Sequence, residues 1–149
     1  MGRAVALFLF ITCISATVAL AADPVLTLST WGKPGDTRFV VELFTDGRLR
    51  VERDAPPFTS EGQLTKKTVE RWVSRTRIRK LLRLAAEAKD FAAGCGEVSD
   101  GTSASMVLVE EGKTTRRNCR NADVWPNGRK ARALLNAINA IVPGEMRVY

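Results

Sequence analysis

Alternating apolar and polar residues mark a β-hairpin over residues 38–53 of this 149-residue chain. Successive side chains of a strand point to opposite faces of a sheet, so every second residue shares a face. The two arms of the segment, RFVVELF and RLRVER, alternate in this way on either side of the turn sequence TDG. The apolar positions that would share one face are Phe39, Val41, Leu43, Leu49 and Val51.

The length of the turn decides which residues pair across this hairpin. A two-residue turn would set Leu43 opposite Arg50 and mix apolar with charged side chains. A three-residue turn, with Gly47 in the left-handed backbone region, pairs Leu43 with Leu49 instead. It also sets Glu42 opposite Arg50 on the other face. Because register follows the face that must be buried, the sequence predicts the three-residue turn with a G1 bulge and one solvent-exposed sheet face.

Two more strands are predicted on either side of this hairpin. Alternation favours a strand over Pro24–Trp31. The β-branched and aromatic residues Thr68, Val69 and Trp72 favour a strand over residues 66–73, with a short helix as the alternative.

A second hairpin is predicted between the two cysteines of the C-terminal half. Residues 103–109 form its first arm, and Lys113–Cys119 form its return arm. The intervening turn, residues 110–112, is compatible with more than one register. The return arm is polar on both faces apart from its cysteine, which is typical of an edge strand protected by Arg116 and Arg117.

Two amphipathic helices complete the predicted elements. The first is capped by Ser74 or Thr76 and ends near Phe91. The second runs from about Asn127 to Val142, before Pro143 and Gly144. Their apolar faces are Ile78, Leu81, Leu82, Ala85 and Ala88 in the first helix, and Ala131, Leu134, Leu135, Ile138 and Ile141 in the second.

This order of elements predicts an α+β fold. Hairpin-joined strands form an antiparallel sheet, here of about five to six strands. Each helix has one apolar face to bury, and packing both helices on one face of the sheet satisfies that requirement.

The N-terminal region has the layout of a secretory signal peptide. Arg3 is followed by an apolar run over residues 4–14, and Ala21 or Ala22 ends a small-residue cleavage signal. We therefore expect residues 1–22 to be removed and residues 23–149 to form a single exported domain, periplasmic or secreted. An uncleaved membrane anchor is the alternative, but the run is short for a span.

Cysteine usage agrees with export. Cys13 would leave with the signal peptide, and Cys95 and Cys119 would remain as a pair in an oxidising compartment. We expect them to form a disulfide, which in the chain-entropy description contributes about 3 kcal/mol of stability.

The absence of histidine restricts the chemistry of the chain. Ser-His-Asp and Cys-His catalysis and histidine-ligated metals require that side chain. Catalysis by a pair of carboxylates does not require histidine. The candidate pairs are Glu97 with Asp100, and Glu110 with Glu111. Both pairs lie in predicted turns, where carboxylates are common without any chemistry. We therefore predict no catalytic, cofactor-binding or metal-binding residues.

The balance of charge suggests a different kind of site. The chain has 23 basic and 16 acidic residues, a formal net charge of +7. Part of this excess is clustered at the first helix, in Arg77, Arg79, Lys80 and Arg83. The cluster is either an ordinary solvated face or a contact surface for an anionic envelope polymer or a lipid headgroup. Nucleic acid is a poor candidate for an exported chain without a recognisable reader motif.

The three tryptophans are assigned to packing. Trp72 is expected in the core. Trp31 and Trp125 stand beside loops rich in glycine and proline, and we expect them to pack those loops.

Taken together, the segments FVVELFTDGRLRVE, IRKLLRLAAEAKDF and SMVLVEEGKTT, the Asp100 segment and the closing helix are similar to an uncharacterised family of small bacterial exported domains. The resemblance implies export and an α+β fold, and it brings no site residues.

These observations favour a non-catalytic binding protein of the cell envelope. One alternative is an inhibitor of a secreted or periplasmic hydrolase, with the loops at residues 32–36 and 54–63 as inserting elements. A hydrolase that uses a carboxylate pair is a further alternative.

Overall fold

A computed structural model describes residues 22–31, 38–55, 65–92, 95, 103–120 and 128–148, which contain six strands and two α-helices. In chain order the elements are β1 Pro24–Trp31, β2 Phe39–Phe44, β3 Arg48–Ala55, β4 Thr65–Trp72, α1 Arg75–Glu87, β5 Ser103–Glu110, β6 Lys113–Cys119 and α2 Arg129–Asn139. A short 3-10 helix, Gly144–Met146, follows α2.

The strands form one six-stranded sheet in the order β4-β3-β2-β1-β5-β6. Every neighbouring pair in that order is antiparallel. The α+β class, the antiparallel sheet and the strand count predicted from the sequence are confirmed. The first strand of the fold occupies the middle of the sheet, and β4 and β6 form its two edges.

The hairpin around Gly47 has the predicted register. Leu43 pairs with Leu49 and Glu42 pairs with Arg50. Three residues separate β2 from β3, and Gly47 has a φ of 101°. The Gly47 N–H donates to the carbonyl of Phe44 at 3.1 Å, which closes the turn.

The structure also answers two questions that the sequence left open: whether residues 66–73 form a strand, and which register the second hairpin has. The segment after the second loop is the strand β4, paired with β3 along its whole length, so the alternative of a short helix is wrong. In the β5–β6 hairpin, Glu110 pairs with Lys113 across a two-residue turn. Glu111 and Gly112 have φ values of 50° and 75°, as a type I′ turn requires at both central positions.

One face of the sheet forms the core together with both helices. The buried strand residues at its centre include Leu28, Val41, Val51 and Met106, which lie side by side across four strands. Residues of both helices complete the same cluster: Leu81, Ala85, Leu134 and Ile138. The helices therefore pack on one face, as predicted, and the opposite face carries polar side chains such as Glu42 and Arg50.

Both helices are shorter than the sequence indicated. Ser74 is the N-cap of α1, and its side chain accepts a hydrogen bond from the Arg77 N–H at 3.4 Å. The helix ends at Glu87 and not near Phe91. The chain turns at this point, and Asp90 becomes the cap of the other helix.

Asp90 caps α2 although it lies 38 residues before Gly128, the N-cap position of that helix. Its carboxylate accepts hydrogen bonds from the N–H groups of Lys130, at 2.9 Å, and Ala131, at 3.2 Å. Gly128 has no side chain to supply a cap, and a β-carbon there would overlap the Asp90 carboxyl and carbonyl groups. The Asp90 carboxylate, which is distant in sequence, therefore takes the place of the local side-chain cap that a sequence pattern would show.

The disulfide between Cys95 and Cys119 is present, with the two Cα atoms 5.4 Å apart. Cys119 is buried at the end of β6, an edge strand as predicted. Arg117 has a different role from the one predicted. Its guanidinium lies on the helix side of the sheet and donates to the carbonyls of Ala85, at 2.8 Å, and Ala86, at 3.3 Å, in the last turn of α1.

Candidate functional site

The corner between β4 and α1 positions a basic surface. Val73 is buried between the two elements, and its N–H donates to the carbonyl of Gly47 at 2.8 Å. Ser74 then caps the helix. These contacts fix the position of the first turn of α1 relative to the end of β4. They therefore also fix the backbone positions of the residues on both sides of the corner.

Residues 71–83 contain six basic residues and no carboxylate. Within α1, Thr76, Arg79, Lys80 and Arg83 are spaced three and four residues apart and share the solvent-exposed face. Together with Arg77 they line a concavity of about 390 Å³. The four basic residues singled out from the sequence are thus brought together on one surface, which we call the α1 basic face: Arg77, Arg79, Lys80 and Arg83.

The α1 basic face is largely unneutralised. Arg83 lies 3.9 Å from the Glu87 carboxylate, a long ion pair within the helix. Among the residues that the structure describes, no carboxylate lies within 4 Å of the charged groups of Arg77, Arg79 or Lys80. Basic residues elsewhere in the molecule form ion pairs with carboxylates. The lack of such pairs among the described residues therefore distinguishes the α1 basic face.

On the exposed face of the sheet, by contrast, basic residues are paired with carboxylates. Arg50 bridges Glu42, at 3.5 Å, and Glu52, at 3.2 Å, and Lys66 reaches Glu52 at 2.7 Å. The hydrogen bond from Lys66 is the main reason that the pKa of the Glu52 carboxyl is lowered, and the nearby positive charges of Lys66 and Arg50 add to it. This network joins three strands and leaves little unbalanced charge.

The first turn of α1 is unfavourable for cations. It contains no acidic residue, and Arg75 and Arg77 stand where the helix dipole is positive. Positive side chains at this end oppose the dipole and do not stabilise the helix. The placement of these two arginines is therefore not explained by helix stability.

Trp72 ends β4, and its predicted place in the core is wrong. Its side chain is 74% exposed, more than any other large hydrophobic residue in the described parts of the chain. The reason is strand alternation: Val69 faces the helices, so Trp72, three residues later on an edge strand, faces the other way. Its ring atom Cε3 and the Cδ1 atom of Ile78 both lie within 4 Å of the position that a β-carbon on Gly47 would take. The indole therefore lies beside the Gly47 turn, at the edge of the sheet face opposite the helices.

A narrow groove runs between the two helices. Arg77 and Lys80 line it together with apolar residues of both helices, and its volume is about 200 Å³. The apolar residues are Leu81, Ala137, Ala140 and Ile141. Because Arg77 and Lys80 line both concavities, the groove and the α1 basic face form a continuous surface.

Of the carboxylates considered from the sequence, the two that the structure describes form no comparable site. Glu110 and Glu111 are exposed at the tip of the β5–β6 hairpin. Glu97 and Asp100 lie outside the described residues, as do Trp125 and nearly all of the two loops considered as inhibitory elements. Trp31 is described at the end of β1 and is 46% exposed. Within the described ranges, no three Cys, Asp or Glu side chains come together as metal ligands.

The fold and this surface define a class of protein: a small disulfide-linked α+β domain with an exposed basic surface at one helix. Comparison with known protein families and with curated proteins finds no match for the chain. In the described part of the chain, no helix is both long and apolar enough to cross a membrane.

Proposed function

We propose that this protein is an exported, non-catalytic binding protein of the cell envelope, and that the α1 basic face holds an anionic envelope component. Export is supported by the signal-peptide pattern of residues 1–22 and by the use of both remaining cysteines in a disulfide.

The observation that carries the proposal is the set of exposed cations in α1 that lack a carboxylate partner among the described residues. Arginine and lysine side chains without carboxylate partners create a positive potential that attracts polyanions. Two of the residues that produce it, Arg75 and Arg77, lie at the end of the helix where cations are unfavourable. Binding of an anion accounts for their position, whereas helix stability does not.

The scaffold suits a preformed binding surface. The β4–α1 corner is held by the buried Val73 and by its hydrogen bond to Gly47. The C-terminal end of α1 is held by the two hydrogen bonds from Arg117. A rigid surface loses less conformational entropy on binding than a mobile one.

Binding of the exported protein to a soluble polyanion tests the proposal. We expect affinity for an anionic polymer such as a teichoic acid or heparin, and we expect it to fall steeply as the salt concentration rises. The substitutions Arg77→Gln, Arg79→Gln and Lys80→Gln together should weaken it by roughly tenfold or more.

A matched control separates a local surface from total charge. Lys113, Arg116 and Arg120 are exposed residues of β6 and the position that follows it, and they are also two arginines and one lysine. If changing these three to glutamine weakens binding as much as the α1 triple variant does, the α1 basic face is not the site. Specific capture and inhibition of one envelope hydrolase, unaffected by the α1 triple variant, would support the inhibitor function instead.

A further inference from the structure

We infer that the α1 basic face and the groove between α1 and α2 together bind a single-chain lipid whose head carries a phosphate. The tail of the lipid lies in the groove, and the cations of α1 hold its phosphate. The inference rests on the proposed function, because it names the anionic component that the α1 basic face would hold.

The composition of the groove is the first argument. Arg77 and Lys80 line it, and both side chains are exposed, so their charged groups are accessible to a ligand. An apolar recess beside positive charge is complementary to a molecule with an apolar tail and an anionic head. The apolar walls of the recess come from both sides: Leu81 from α1, and Ala137, Ala140 and Ile141 from the end of α2 and the turn that follows it.

The continuity of the two concavities is the second argument. Arg77 and Lys80 line the groove of about 200 Å³ and also the larger concavity of about 390 Å³ on the α1 basic face. Thr76, Arg79 and Arg83 complete the larger concavity. It therefore offers four cations and a hydroxyl to a head group, while the groove offers apolar walls to a chain attached to that head. The two shared residues stand where the parts of such a ligand would join.

The charge of the head follows from the lack of local neutralisation. Among the residues that the structure describes, no carboxylate lies within 4 Å of the charged groups of Arg77, Arg79 or Lys80. Arginine donates paired hydrogen bonds that match the geometry of phosphate, and lysine adds a compact positive charge. A phosphate monoester carries about two negative charges. It therefore suits this set of cations better than a singly charged carboxylate does.

The groove also distinguishes a lipid from a purely hydrophilic polyanion. A polymer without apolar groups would gain nothing from Leu81 or Ile141, whereas a methylene group placed against them leaves water. Each methylene buried in this way increases affinity by roughly fourfold. Because the groove has a volume of only about 200 Å³, it holds part of an acyl chain. Affinity should therefore rise with chain length and then level off once the groove is filled.

Binding of soluble alkyl phosphates tests this inference. The exported protein is titrated calorimetrically with butyl, hexyl, octyl and decyl phosphate, each below the concentration at which it forms micelles. We expect the dissociation constant to fall by up to about fourfold for each added methylene and then to stay constant. Octyl glucoside has the same tail as octyl phosphate but no charge, and it should bind roughly tenfold more weakly or less.

Substitution of the two shared cations tests the contact with the head. Arg77→Gln combined with Lys80→Gln should weaken the binding of octyl phosphate by roughly tenfold or more and leave that of octyl glucoside unchanged. Lys113→Gln combined with Arg116→Gln is the matched control, since it also removes one lysine and one arginine from exposed positions, here on β6. The control variant should bind octyl phosphate like the unchanged protein.

Substitution in the groove tests the contact with the tail. Ala137→Leu places a larger side chain in the groove, so affinity should level off at a shorter chain, while affinity for butyl phosphate and for the soluble polyanion stays the same. Ala133→Leu is the matched control, because Ala133 is also half-buried in α2 but does not line the groove. Thermal unfolding verifies that each variant is folded. Ala140→Leu, at an exposed position of the groove, gives the same test if Ala137→Leu does not fold.

The outcomes distinguish the inference from the proposed function. Binding of the soluble polyanion without a gain in affinity along the alkyl phosphate series overturns the inference and leaves the proposed function in place. The same conclusion follows if the polyanion binds but octyl glucoside binds as tightly as octyl phosphate, or if the groove variant keeps the chain-length dependence of the unchanged protein. Failure to bind either the polyanion or the alkyl phosphates overturns both.

Discussion

At the scale of single residues, two glycines, Gly47 and Gly128, allow parts of this chain to approach each other closely. Gly47 and Gly112 both occupy the left-handed backbone region, but only Gly47 is also confined by its neighbours. A β-carbon on Gly47 would lie 3.0 Å from the carbonyl oxygen of Val73, whereas one on Gly112 would meet nothing within 4 Å. Substitutions at both positions cause backbone strain, but only a substitution at Gly47 also causes a steric clash. Comparing the two therefore distinguishes these two effects on stability.

We expect Gly47→Ala to destabilise the protein more than Gly112→Ala. Both variants force alanine into a left-handed conformation, at about 1–2 kcal/mol. Only the first also presses on the β4–α1 corner, and Gly47→Val should be worse because its side chain is branched. Urea unfolding of the variants measures the difference. Equal losses of stability in the two alanine variants would mean that the β4–α1 corner accommodates the new side chain at Gly47 at no cost in free energy.

Gly128 permits a contact that no short sequence pattern reveals. Its backbone approaches Asp90 so closely that any β-carbon would overlap the carboxylate that caps α2. We expect Gly128→Ala to cost about 1–3 kcal/mol of stability through this overlap and the lost cap. Gly144→Ala is the control in chemical denaturation, because a β-carbon there has open space around it. A neutral Gly128→Ala variant would contradict the assignment of Asp90 as the cap.

At the scale of elements, the charge network on the exposed sheet face links three strands. Lys66 of β4, Glu52 and Arg50 of β3 and Glu42 of β2 are joined in one chain of ion pairs. The pKa of Glu52 is lowered mainly by the hydrogen bond from Lys66. A carboxyl group with a lowered pKa in the folded state stabilises the fold while it is ionised and loses that contribution on protonation.

The direction of this shift predicts a loss of stability in acid. The contribution of Glu52 should be fully present above its ordinary pKa of 4.5 and should be lost as the pH falls through the lower pKa of the folded state. In Glu52→Gln, the free energy of unfolding should therefore be lower at neutral pH and should depend less on pH in the acid range. Glu110→Gln, a change at the exposed hairpin tip, is the control. An unchanged acid profile in Glu52→Gln would show that the network does not contribute.

The same elements show what sequence patterns could and could not predict. The Gly47 hairpin was predictable with its register, because only one turn length separates apolar from charged side chains. The face occupied by Trp72 could have been read from its spacing to Val69, but aromatic character favoured burial. The role of Arg117 could not be read, since the helix carbonyls that it binds belong to a segment about 30 residues earlier.

At the scale of the whole molecule, the disulfide joins two parts of the chain 24 residues apart. In the chain-entropy description, a loop of this length contributes about 3 kcal/mol, mostly by restricting the unfolded state. We expect the double variant Cys95→Ser with Cys119→Ser to keep the fold but to unfold at a lower urea concentration. A reductant should lower the midpoint of the unchanged protein and leave that of the variant where it is. If reduction does not move the midpoint, the bridge has little effect on stability.

The surface at α1 is likewise a property of the whole molecule. Its basic residues were visible in the sequence as a run of charge, and their clustering on one helix face followed from helical spacing. The absence of carboxylate partners among the described residues depends on the tertiary contacts around α1. No short pattern in the sequence encodes these contacts.

The central position of β1 has a consequence for the order in which the chain can fold. Its partners are β2, which follows directly, and β5, which is made some 70 residues later. As the chain emerges from its amino end, β1 to β4 can form a meander, while the second edge of β1 remains an open template for any other strand. Contacts between segments so distant in sequence are slow to form. The interval before β5 arrives is therefore the period in which the new chain is most exposed to aggregation.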